Sequence, residues 1–147
     1  MGKLLKLCFV IFALWNTPVH AQERAEVIGG SWLTASGDVR ITVFQTGDQY
    51  YGSISWLREP SENGKPKTDK ENPDVKLRNR PLLGLLLLRG FKYEGNNVWT
   101  NGKIYDPKSG KDYSCRITLA GKDKLEVRGY IGISLLGRTE TWTRVQQ

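Results

Sequence analysis

Histidine is almost absent: the 147 residues contain one, His20, together with two cysteines, Cys8 and Cys115, and a single methionine, Met1. Long apolar runs are missing as well. The stretch from Leu7 to Trp15 has nine unbroken apolar residues, far short of the ~20 that a membrane-spanning helix requires. What that stretch does fit is an export signal. Lys3 and Lys6 precede it, and Val19-His20-Ala21 offers small residues where a signal peptidase would cut. Lys6-Leu7 before Cys8 does not fit the small residues of a lipoprotein anchor. The expectation is therefore a signal peptide over residues 1–21, a single domain over 22–147 with no transmembrane segment, and a periplasmic or secreted location.

Removing residues 1–21 turns those scarcities into absences. The remaining 126 residues keep Cys115 and have neither histidine nor methionine. One cysteine forms no internal disulfide, so stability has to come from packing. Without histidine, Ser-His-Asp and Cys-His arrangements and histidine-based zinc sites are excluded. The net charge of +7 falls to +5 with the loss of Lys3 and Lys6. Export, and the interleaving of lysine and arginine with acids, argue against nucleic acid as a partner. A mildly basic surface suits anionic lipid or cell-wall polymers, or is simply a solvated face.

What is present is alternation with a period of two. Val39, Ile41 and Val43 alternate with Arg40 and Thr42, and Tyr113, Cys115, Ile117 and Leu119 alternate with Ser114, Arg116 and Thr118. Leu125, Val127, Gly129 and Ile131 repeat the pattern, which marks strands with one buried face. Turn clusters such as Thr46-Gly47-Asp48 and Gly95-Asn96-Asn97 separate the runs. About eight strands follow, over 31–35, 39–45, 49–57, 82–89, 97–105, 111–119, 123–131 and 137–145. The fold class is all-β, a single antiparallel up-and-down β-barrel, because closing eight strands removes exposed edges. At that size the interior is either filled by side chains or holds one small ligand.

Two segments break the pattern. Residues 58–80, charged and rich in proline and asparagine, predict a long loop over one barrel end, either a lid or a disordered connection. Residues 81–91, PLLGLLLLRGF, are apolar on both sides, so periodicity does not separate strand from helix. Two interrupting glycines and the hairpin count favour a strand. Its outer leucines then need cover from the long loop or from a partner.

Trp32 opens the first strand within Gly30-Ser31-Trp32, and the last strand carries Arg138 and Arg144. Either arginine, laid across the Trp32 ring, would close the barrel through a cation–π contact worth ~0.5–2 kcal/mol. The stretch RGYIGISLLGRTETW (residues 128–142) predicts a sharp corner, with Gly129, Gly132 and Gly137 supplying the unusual backbone. Residues 133–136 would then make a short turn that plugs the barrel end with apolar side chains.

Aromatic residues in a small barrel are either core or the lining of a pocket with polar tips. On the second reading Tyr51, Trp56, Tyr105 and Tyr130 are the candidate ligand-binding residues. Cys115 falls on the apolar face of its strand and reads as an inert thiol. Asp69, Asp74 and Asp106 read as solvated loop acids, since no spacing suggests a glycosidase pair or a calcium loop. No catalytic residue, metal ligand or cofactor emerges. The chain reads as a non-enzymatic binding module for a small apolar or amphipathic ligand; the alternative is a filled barrel acting as a structural or protein-interaction module of the cell envelope.

Several longer motifs carry a family resemblance. Gly30-x-Trp32, YGSISWL, D-x-x-NPD, RPLLGL-x-LLRGF, W-x-NGKIYDPKSGK-x-Y and RGYIGISLLGRT-x-TW together resemble the small exported bacterial proteins of domain-of-unknown-function family 2147 (DUF2147). The resemblance spans residues 26–145. It implies a compact lipocalin-like barrel, no enzymatic activity and no catalytic residues. Asp69, Asn72, Arg80, Trp99, Tyr105, Asp106, Arg128 and Arg138 fall within these motifs without an assigned role.

Overall fold

The computed structural model describes residues 27–146. The expected export signal over residues 1–21, with Cys8 and His20, lies outside the described residues. Ten strands follow in order: β1 (Gly30–Leu33), β2 (Val39–Thr46), β3 (Gln49–Leu57), β4 (Ser61–Glu62), β5 (Lys65–Pro66), β6 (Leu86–Gly95), β7 (Val98–Asp106), β8 (Lys111–Leu119), β9 (Lys124–Tyr130) and β10 (Arg138–Arg144). Eight of them close into an antiparallel barrel in the order β1-β10-β9-β8-β7-β6-β3-β2, while β4 and β5 form a separate small hairpin. The topology is up-and-down, as the hairpin-length links predict.

Alternation decides which side chains enter the barrel. Ile41 and Val43 of β2, Tyr50 and Ile54 of β3, Cys115 and Ile117 of β8, and Leu125 and Val127 of β9 are buried. The intervening Arg40, Thr42, Ser53, Arg116 and Glu126 are partly or fully exposed. Apolar in and polar out is the reverse of the pattern that a membrane-spanning barrel needs. One end of the interior is packed solid around Trp32, Phe91, Trp99, Ile117 and Leu125, all wholly buried or nearly so. Close packing there requires missing side chains: a Cβ on Gly102 would overlap the Phe91 ring, and one on Gly52 would sit 2.8 Å from Leu88 Cδ1.

The same end is sealed by Trp32 and Arg144, which pair across β1 and β10. The Arg144 guanidinium lies 4.1 Å from the Trp32 ring centroid. Its nitrogens donate to the carbonyl oxygens of Lys122 (2.8 Å), Gly29 (2.9 Å) and Val27 (2.6 Å). Trp32 Nε1 donates to Ile28 O at 2.9 Å, so the polar edge of the buried ring is satisfied. Gly30 adopts φ +113°, which brings its backbone close beneath the arginine; a Cβ there would lie 3.3 Å from Arg144 Nη1. Arg138 sits at the opposite end of β10, exposed and 4.0 Å from Glu140.

Three expectations change. The sixth strand begins at Leu86 rather than at 82, because Gly84 takes φ +86° and Leu85 N bonds back to Leu82 O, making residues 82–85 a turn. The leucine run is apolar on both sides for a related reason. A register shift between Gly52 and Ser53 opposite β6 allows both Leu87 and Leu88 to be buried. The third concerns the corner after β9. Gly132 takes φ +77°, and a Cβ on Gly137 would meet Gly129 O at 2.6 Å, so the sharp turn forms. Ser134–Leu136 make a single 3-10 turn, but their neighbourhood does not plug the barrel: Ile131, Ile133, Leu135 and Leu136 are 71%, 59%, 85% and 79% exposed.

Arg144→Ala is expected to lower stability by about 2–4 kcal/mol in urea unfolding, through loss of the ring contact and of charged hydrogen bonds. Arg144→Lys should restore less than half of this, because a lysine cannot lie flat on the ring while donating to three carbonyls. Arg138→Ala should stay within about 0.5 kcal/mol of the wild type.

Candidate functional site

The barrel is filled at the Trp32 end and open at the other. A cavity of about 640 Å³ enters from the open end, within the ~300–1,000 Å³ typical of small-molecule sites. Ile41 of β2, Ile54 and Leu57 of β3, Leu87 of β6, Ile104 of β7, Val127 of β9 and Trp142 of β10 form its walls. Apart from Trp142 these are branched aliphatic residues, placed where the sealed end has Trp32, Phe91 and Trp99, and the difference in bulk leaves the space. Polar groups gather at the mouth: Thr34, Ser36, Asp106, Lys108, Arg138 and Glu140. Glu140 Oε2 accepts from Trp142 Nε1 at 3.4 Å, so one rim carboxylate touches the wall indole.

Beside the mouth lies a buried polar cluster that the sequence reading misses. Asp69, expected as a solvated loop acid, is 0% exposed. Its carboxylate accepts from Tyr105 Oη (2.6 Å), Asn72 Nδ2 (2.7 Å), and Arg80 Nε (2.9 Å) and Nη2 (2.8 Å). Asn72 Nδ2 also reaches Tyr105 Oη at 3.1 Å, and the Arg80 guanidinium lies 5.6 Å from the Tyr105 ring centroid. Asn72 Oδ1 accepts from Asp74 N at 2.8 Å, and Asp74 in turn caps a 3-10 turn at Val75–Leu77. The long segment over 58–80 is thus ordered: it carries the β4–β5 hairpin and is locked to β7 through Asp69 and Tyr105. Burial raises the Asp69 pKa. The hydrogen bonds from Tyr105, Asn72 and Arg80, with the Arg80 charge, outweigh this and hold the carboxyl below its ordinary value. Burial and the neighbouring Asp69 push the Tyr105 hydroxyl up. Asp106 accepts from Lys108 N and Ser109 Oγ within its own turn.

Of the four aromatic residues proposed from sequence, the structure brings Tyr105 to the cavity. Tyr51 alternates with the buried Tyr50 and Gly52, lies on the outer face, and stacks on Phe44 at 6.0 Å. Trp56 is turned outward by a bulge: Arg40 pairs with Trp56 but Ile41 with Ile54, so Ser55 is the extra residue and Leu57, not Trp56, enters the wall. Arg40 covers the outward Trp56 ring at 4.7 Å. Tyr130 follows Gly129 at the end of β9 and shares the outer face with Arg128. Tyr113 and Trp142 line the cavity instead. Alternation along β8 places Tyr113 inward, but its height in the barrel is set by pairing with Ile104. Cys115 is buried, and burial pushes its thiol up to about 12. Among the described residues, no group of three or more His, Cys, Asp or Glu side chains is placed to hold a metal ion.

A closed eight-stranded antiparallel barrel, plugged at one end by a tryptophan–arginine pair and hollow at the other, has the lipocalin-like architecture. Within that class the chain belongs to the family described as uncharacterized protein conserved in bacteria, DUF2147, which matches residues 30–144. Among solved structures it is similar to protein HP1028 from the human pathogen Helicobacter pylori, described as belonging to the lipocalin family. The two share 27% sequence identity with a TM-score of 0.70, over 80% of this chain and 82% of the other. No curated protein matches the chain.

The Asp69 cluster makes stability pH-dependent with a defined sign. A carboxyl whose pKa is lowered by folding contributes its stability fully above the unfolded value of about 3.9, and that contribution is lost as the pH falls through the lower folded value. The stability difference between wild type and Asp69→Asn should therefore be constant above about pH 5 and shrink below about pH 4, measured by thermal unfolding across pH. At neutral pH Asp69→Ala should cost about 2–3 kcal/mol, less than a fully buried pair, because the Arg80 side chain remains 37% exposed.

Proposed function

We propose that this protein is a non-enzymatic binding module, exported to the periplasm or beyond, whose barrel holds one small apolar or amphipathic molecule. The observation that carries this reading is the cavity itself: about 640 Å³ with aliphatic and indole walls and a charged rim. Apolar walls favour an apolar ligand body by removing its surface from water, at about 25 cal/mol per Å². Two cations, Lys108 and Arg138, and two carboxylates, Asp106 and Glu140, at the rim suit a ligand whose polar head stays at the mouth. The likeness to a protein described as a lipocalin supports the same reading. So does the empty volume, which argues against the alternative of a barrel filled by its own side chains. Export is supported by the signal-like residues 1–21. The deep burial of Cys115 leaves no exposed thiol among the described residues to cross-link outside the cell.

A fluorescent fatty acid titrated into the purified protein should take up energy from Trp142 in the cavity wall, and Trp142→Phe should weaken that transfer selectively. Ile54→Trp and Val127→Trp, made singly to fill the cavity, should each reduce probe affinity at least ~10-fold, a loss of about 1.4 kcal/mol, with melting temperature confirming the fold. Unchanged affinity in both filled variants would remove the cavity as the binding site. Mass spectrometry of lipid co-purifying from the native envelope then identifies the natural ligand.

A further inference from the structure

The cavity mouth carries an apolar feature that neither the core nor the cavity uses. Between β9 and β10, Ile131, Ile133, Leu135 and Leu136 project into solvent from the seven-residue connection 131–137. Leu83, next to the lining residue Leu82, is half exposed on the β3–β6 side of the same mouth. Exposed apolar residues this concentrated are rare on a soluble surface and mark a contact site. The other exposed large apolar residues, Val27, Phe44, Val75, Leu77 and Leu86, are scattered, so the concentration is at this turn.

Size and charge select the occupant. A stable protein partner needs roughly 800 Å² on each side, and a few aliphatic side chains on one narrow turn supply only part of that. A convex apolar tip flanked by cations instead matches a lipid interface, where the tip enters the acyl boundary and the cations stay among the headgroups. Arg128 and Arg138 stand at the base of this turn, where Arg138 pairs with Gly129 and Arg128 with Thr139 across β9 and β10. Lys108 lies across the mouth, where Asp106 and Glu140 offset part of the positive charge, and the chain beyond residue 21 is basic at +5. Anionic lipid headgroups complement that charge.

We propose that the 131–136 turn docks the open end of the barrel onto an anionic lipid surface, setting the cavity mouth against the membrane. The geometry gives the turn a role in loading: a ligand leaving the bilayer enters the cavity without crossing water. Docking itself is independent of what the cavity holds. Only its use for ligand transfer rests on the binding reading above.

The test is co-sedimentation of the purified full chain with phosphatidylglycerol vesicles and, separately, phosphatidylcholine vesicles. The wild type should sediment with the anionic vesicles, weakly with the neutral ones, and less as salt is raised. Leu135→Asp with Leu136→Asp should weaken vesicle binding at least ~10-fold, and the milder Leu135→Ser with Leu136→Ser should weaken it in the same direction. Neither residue lines the cavity, so fatty-acid probe affinity in vesicle-free solution should be unchanged. A wild type that remains in the supernatant with both vesicle types would overturn the proposal, as would variants that sediment like the wild type. A dimer in analytical ultracentrifugation that dissociates in the same variants would assign the turn to self-association and also overturn it. Loss of probe binding with vesicle docking intact would count against the cavity reading alone.

Discussion

An eight-stranded sheet loses its edges only when the last strand finds the first, and here that seam is narrow. β1 has four residues, and Trp32–Arg144 and Leu33–Thr143 are its register pairs with β10. Arg144 reinforces the seam in a way that a ladder hydrogen bond cannot. Its flat cation lies on the Trp32 ring while its nitrogens collect three carbonyl oxygens, two from the lead-in to β1 and one from the β8–β9 turn. The lead-in to β1, the last strand and a hairpin turn are thereby tied to one planar group. A guanidinium suits this because it is weakly hydrated on its faces and rich in donors at its edge.

From that seal follows the division of the interior. Large rings fill the sealed end, and the wall glycines Gly102 and Gly52 are the concessions that let Phe91 and Leu88 fit. Toward the other end the inward residues become Ile41, Ile54, Val127 and Leu87, which line the cavity. One end therefore behaves as a core and the other encloses a cavity. The Asp69 cluster performs the corresponding task at the open end. It fastens a long polar segment against β7 by satisfying one buried carboxylate with a phenol, an amide and a guanidinium. A buried charge with that many donors is tolerable, and it holds the rim of the mouth in place without filling it.

The outer surface repeats the contrast between the two ends. The walls are largely polar, with Phe44, Tyr51 and Trp56 outward among them, while the open end presents a projecting aliphatic turn. The aliphatic turn and the cavity opening thus share one end of the barrel.

The all-β class, the up-and-down topology and most strand boundaries are legible in the sequence because a period of two reports burial directly: Ile41 and Val43, or Cys115 and Ile117, cannot be read otherwise. Its family is legible too, through motifs long enough to be specific. The cavity-facing residues are not. One extra residue at Ser55 reverses which neighbour faces inward, and the parity of Tyr51 is hidden by Gly52, which has no side chain to declare a face. The burial of Asp69 depends on Tyr105, 36 positions away. Alternation along the chain thus determined that there is an inside. Which side chains share a height within it, and whether they touch or leave a space, was decided only by register between strands and by packing across the barrel, since both depend on distances between residues remote in the chain.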